Sequence, residues 1–137
     1  MLGALSAATI VLAGCGSGDG YDNAARPPVP IHVSVSLLGG RVQLSPAQIG
    51  AGPVVLLVAN QTSALRDLTL STAAGASSSC VTATASSGPI NPQGVARVPV
   101  DLVEGACVVG VRDGSLRPAR LSVGPPRPSA QEDLLQP

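Results

Sequence analysis

The chain has 137 residues, and its eight basic residues, all Arg, balance eight acidic ones, so no net field draws in nucleic acid or an anionic surface. No Phe or Trp occurs and the only Tyr is Tyr21, which removes aromatic platforms for bases or sugars. The core must be Val, Leu, Ile and Ala, and the length left once the two ends are set aside, about 95 residues, suits one small domain.

From Leu2 to Leu12 every residue is apolar or small, and the run continues directly into Leu12-Ala13-Gly14-Cys15. At about 14 residues it is shorter than the roughly 20 needed to cross a bilayer as a helix, and it falls within the range of an export-signal core. The alternative is a buried N-terminal helix with an incidental cysteine. Against that, the run lacks a 3.6-residue alternation and is followed at once by Gly16-Ser17-Gly18-Asp19-Gly20, a tether composition. Leu12, Ala13, Gly14 and Cys15 resemble the lipobox of bacterial prolipoproteins. The resemblance implies a signal peptide over residues 1–14, lipid attachment at Cys15 and cleavage that leaves Cys15 as the mature N-terminus. Its implied partner is the membrane, reached through a diacylglycerol anchor on the extracytoplasmic face of a bacterial cell. Two acyl chains hold where one of myristoyl length is marginal. The segment before the apolar run has no Lys or Arg, so the expected start of translation lies upstream of Met1.

Residues 15–30 form the expected tether, flexible at its Gly and Asp residues and stiffening toward polyproline II at Arg26-Pro27-Pro28-Val29-Pro30. The domain is expected over residues 31–123. Ile31, Val33, Val35 and Leu37 alternate with His32, Ser34 and Ser36, the pattern of a half-buried strand. Gly39-Gly40 turns the chain into a short strand from Arg41 to Leu44, giving a hairpin. Residues 45–53 read as a loop whose Ile49 plugs the end of the core. Val54 to Ala59 is continuously apolar, short and β-branched at its start, and closes on Asn60, which predicts a strand buried on both sides. Arg66 to Leu70 resumes the alternation with Leu68 and Leu70 inward.

After a loop, residues 79–84 read as a strand holding Cys80 and Val81, and residues 89–94 as a turn. Val95 to Leu102 places Ala96, Val98, Val100 and Leu102 inward and Arg97 and Asp101 outward. Pro99 has no donor and lies on the outward parity, which marks an edge or bulged strand. Strands over residues 106–111 and 117–123 follow, and Pro125-Pro126-Arg127-Pro128 is expected to stop the last, with a disordered tail over residues 124–137. Seven to eight short strands without an amphipathic helix predict an all-β fold, a Greek-key β-sandwich.

Three features carry a second resemblance. Residues 45–60 run from a proline through Ala51-Gly52 into a strand closing on Asn60; Asn91-Pro92-Gln93-Gly94 precedes an alternating strand; Leu102-Val103-Glu104-Gly105 precedes the next. Their order resembles the cupredoxin fold over residues 31–123, with an unrelated immunoglobulin-like sandwich as the alternative. Copper-binding members carry a His a few residues after that Asn, then a Cys, a His and usually a Met around the last two strands. In this sequence those positions fall near Arg66 and Val111, and no His or Met follows. Type 1 copper needs two imidazoles and a thiolate on one ion. His32 is the only histidine and lies on an outward parity, so the resemblance implies a scaffold without copper.

With Cys15 lipidated, Cys80 and Cys107 remain, and in an oxidising compartment a disulfide is their default state. No metal, cofactor or catalytic residue is expected: one His, few carboxylates and loop serines assemble no nucleophile with an adjacent base. The expected function is a non-enzymatic surface lipoprotein whose sandwich is a binding or structural module, with an unidentified envelope protein as partner. The alternative is an accessory domain for copper handling or electron transfer that relies on a partner's ligands. A small hydrolase is the third class, resting on no motif.

Overall fold

The computed structural model describes residues 26–129. The expected signal peptide over residues 1–14, the lipobox-like residues with Cys15, residues 15–25 of the expected tether and residues 130–137 lie outside the described residues. Eight strands follow one another: β1 (Ile31–Leu38), β2 (Arg41–Ser45), β3 (Gln48–Asn60), β4 (Arg66–Thr72), β5 (Ala85–Ile90), β6 (Val95–Leu102), β7 (Gly105–Val111) and β8 (Ala119–Pro126). The fold is all-β. One sheet has the order β2-β1-β3-β6 and the other β8-β7-β4-β5, with β3 belonging to both.

That double membership corrects the loop expected over residues 45–53. Gln48 to Ala51 pairs with β8, and from Gly52 onward the same strand pairs with β6 and then β1. The change of sheet occurs at a register shift between Gly50 and Ala51, followed by Gly52 at φ +127, a conformation that side chains with a Cβ rarely adopt. A Cβ at Gly52 would also lie 2.8 Å from the Pro28 ring. Glycine and proline, which read locally as loop signals, are here the bend of a single strand.

The aliphatic core forms between the sheets from alternate residues. Val33, Val35 and Leu37 of β1 join Val54, Leu56 and Val58 of β3 on one side, facing Leu68, Leu70, Val109 and Leu121 on the other. Ile49 packs against one end, as expected, and Leu116 closes in from the loop before β8. The hairpin at Gly39-Gly40 forms, with Leu38 opposite Arg41 and Gly40 at φ +92. Strand β6 is hydrogen-bonded only to β3, so Pro99 does sit on an edge strand with its ring outward.

Three further expectations are corrected. Residues 79–84 form no strand; Cys80 is held by its bridge and by the Thr72 hydroxyl accepting from its N–H at 3.2 Å. The fifth strand lies instead at Ala85–Ile90 and takes in the first two residues of the turn expected over residues 89–94. It pairs with β4 across a register shift, and on an edge strand such a bulge and such a proline are tolerated. The last strand runs past Val123 to Pro126, because proline is compatible with extended backbone, and Arg127 N–H still donates to Ala51 O at 3.1 Å. Finally, Val54 to Ala59 is not buried on both sides: Val54, Leu56 and Val58 are buried, whereas Val55, Leu57 and Ala59 are half-buried on the outer face.

Candidate functional site

Strand β3 ends at Asn60, and the chain crosses to β4 in residues 61–65. Asn60 is fully enclosed, at 1% exposure, and every part of its amide is engaged. Its Nδ2 donates to the carbonyls of Ala64 (2.8 Å), Ile90 (3.0 Å) and Asn91 (3.1 Å), while Oδ1 accepts from Thr62 N–H (3.1 Å) and the Thr62 hydroxyl (2.7 Å). A single side chain thus ties the β3–β4 crossing to the β5–β6 turn.

Arg66 extends this network to the last loop. Its Nε donates to Thr62 Oγ1 at 3.3 Å, and its Nη1 reaches Asp113 Oδ2 at 2.8 Å and Ser115 Oγ at 2.6 Å. One residue along, Asp67 Oδ2 accepts from Arg112 Nε at 2.7 Å and Asp67 Oδ1 from Ser86 Oγ at 2.6 Å. The sequence holds two Arg-Asp dipeptides, Arg66-Asp67 and Arg112-Asp113, at the start of β4 and just past the end of β7. Because β4 and β7 run antiparallel, each Arg is brought to the other's Asp. This repeat was the available signal, and reading it requires the strand pairing.

Both carboxylates are held below the ordinary aspartate value of 3.8. For Asp67 the Ser86 hydroxyl is the main cause, aided by Arg112 and opposed by partial desolvation. For Asp113 the hydroxyl and N–H of Ser115 lead, and Arg66 adds to them. A folded value below the unfolded one makes a contribution that is complete above about pH 4 and disappears as pH falls through the lowered folded value. Asp67→Asn should therefore flatten the acid limb of the stability curve below about pH 4 and leave its shape at neutral pH alone. An acid limb as steep as the wild type's in a denaturation series would contradict the assignment.

At the opposite end of the sandwich lies the disulfide between Cys80 and Cys107, with Cα atoms 5.7 Å apart and both residues at 0% exposure. There Arg127 donates to the carbonyls of Val29 (2.6 Å), Pro53 (2.5 Å) and Gly50 (3.3 Å), and Ser129 Oγ donates to Arg26 O at 2.6 Å. The residues leading into β1 and those leaving β8 are thereby fastened together.

Arg66 and Val111, the positions matched to copper ligands, lie at the same end of the sandwich, one holding an ion pair and the other buried in the core. His32 is exposed on the outer face of β1, remote from both. Among the described residues no three His, Cys, Asp or Glu side chains group as a metal site, and no buried side-chain N or O lacks a hydrogen-bond partner. The Asn60–Thr62–Arg66 network was not anticipated beyond Asn60 as the close of a strand. Its donors and acceptors satisfy one another, which makes it a brace between loops. No protein-family model matches the chain, and no curated protein sequence matches it either.

Proposed function

We propose that this chain is a lipid-anchored envelope protein whose sandwich is a non-catalytic binding or structural module, built on a cupredoxin-like scaffold in which a braced ion pair stands at the metal end. The observation that supports the scaffold reading most is Arg66 bonded to Asp113 and Ser115, a fixed cation where the resemblance would put the first copper ligand. The all-β fold in two sheets is compatible with such a scaffold. The anchor reading rests on Leu12-Ala13-Gly14-Cys15, and the buried Cys80–Cys107 bridge suits the oxidising compartment to which such a signal leads. In this reading the tether joins the sandwich beside Arg127, so the loops around Asn60, Asn91 and Asp113 face away from the membrane.

The test is metabolic labelling with a radioactive fatty acid followed by membrane fractionation. The wild-type chain should incorporate label and sediment with membranes, and Cys15→Ala should lose the label and accumulate uncleaved or released. Unchanged labelling of Cys15→Ala would defeat the anchor.

A further inference from the structure

The outer face of the β2-β1-β3-β6 sheet carries a half-buried apolar row, bordered at its Pro53 end by Pro30. Along β3, Pro53, Val55, Leu57 and Ala59 alternate outward and are all half-exposed or lined by a shallow groove. The groove, about 500 Å³, is bordered by Ser34, Ser36, Leu57, Ala59, Val95 and Arg97, and Val95 is 81% exposed. A sheet with one solvated face ordinarily alternates apolar with polar residues, whereas a central strand apolar on both faces is the mark of a sheet covered on both. The row therefore calls for a covering layer.

The charges on the same face indicate what that layer is. On β6, Pro99 is opposite Val55, Arg97 opposite Leu57 and Asp101 opposite Pro53, and all three β6 residues are exposed. Arg97 and Asp101 thus stand about 7 Å to either side of Pro99, with opposite signs. We propose that a second copy of this chain covers this face, sheet against sheet, about a twofold axis that crosses the strands at the level of Val55 and Pro99. That rotation reverses the strand direction and keeps the strand order, so Arg97 of each copy lies over Asp101 of the partner copy, the two β3 rows meet alongside, and His32, opposite Val55, falls at the level of the axis. A patch whose charges complement one another across the axis meets the requirement of a closed twofold dimer. The balance of eight basic and eight acidic residues leaves no net repulsion to oppose it.

The size of the face sets the strength. Four strands about 4.8 Å apart and seven residues at about 3.3 Å each give roughly 440 Å² per copy, or about 900 Å² for the pair. That is below the ~1,200 Å² at which stable interfaces begin. The dimer is accordingly weak in free solution and strengthened wherever the chain is concentrated; it does not depend on the anchor.

Sedimentation equilibrium of the full-length chain in density-matched detergent, up to about 1 mM, tests this. Wild type should show a reversible monomer–dimer equilibrium. Arg97→Asp and Asp101→Arg should each weaken it by about tenfold or more, since each brings like charges together in both contacts. An equimolar mixture of the two variants should associate again, because both contacts in the mixed pair join opposite charges. A wild type monomeric at every concentration, a dimer indifferent to both substitutions, or a mixture that fails to associate would overturn the proposal.

Discussion

Reduction of the Cys80–Cys107 bridge should lower the unfolding free energy by about 3.5 kcal/mol, the loop-closure value for a cross-link spanning 27 positions. Two features make the domain sensitive to that loss. Its core contains no Phe or Trp, so each core residue buries less apolar area than an aromatic one would. The segment over residues 73–84 also has no sheet ladder of its own. It is secured by the bridge, by Val103 N–H donating to Cys80 O at 2.9 Å, and by Ala73 N–H donating to Ala106 O at 2.8 Å. Denaturant titrations with and without reductant should show a clearly lower midpoint for the reduced chain, and Cys80→Ala/Cys107→Ala should behave like it. Coincident midpoints would show that the bridge adds nothing to stability.

Asn60→Ala should cost about 3 kcal/mol, because the Ile90 carbonyl and the Thr62 N–H lose the amide at a site closed to water, while the Asn91 carbonyl is left with the Gly94 N–H alone. Asn60→Asp keeps the volume and the acceptor but removes the donor, and sets a carboxylate against three carbonyls. It should be at least as damaging at neutral pH and partly relieved in acid, where a protonated carboxyl can donate once. Thr62→Val, which removes one hydroxyl from the same network, should cost about 1 kcal/mol. Chemical denaturation of the three variants checks the ranking. An Asn60→Ala chain within about 0.5 kcal/mol of wild type would mean that water enters and replaces the amide.

The features legible in the sequence are those encoded by neighbours along the chain. Ile31 to Leu37 and Val95 to Leu102 each show period-two alternation, and the structure buries Val33, Val35, Leu37, Val98 and Leu102 as that period requires. The cysteine pair could be read by elimination once Cys15 was assigned to lipid. What escaped reading depends on pairing between distant segments. Gly50 to Pro53 reads as a loop until β8 is seen to run beside it, and Pro89-Ile90 reads as the start of a turn until β4 supplies the other half of the bulged ladder. The Arg66-Asp67 and Arg112-Asp113 dipeptides carry no local signal at all; their meaning appears only when β4 and β7 are antiparallel. The apolar run from Val54 to Ala59 reads as buried on both sides, and among the described residues one of those sides is only half-buried. That mismatch motivates the proposed dimer.

The most direct test of an anchored, disulfide-locked module is the intact mass of the protein extracted from cell envelopes, recorded before and after reduction and alkylation. One species is expected, beginning at Cys15 and heavier by a diacylglycerol group, in which two thiols become available for alkylation only after reduction. A species that retains residues 1–14 and carries no lipid, or one whose Cys80 and Cys107 alkylate without reductant, would contradict it.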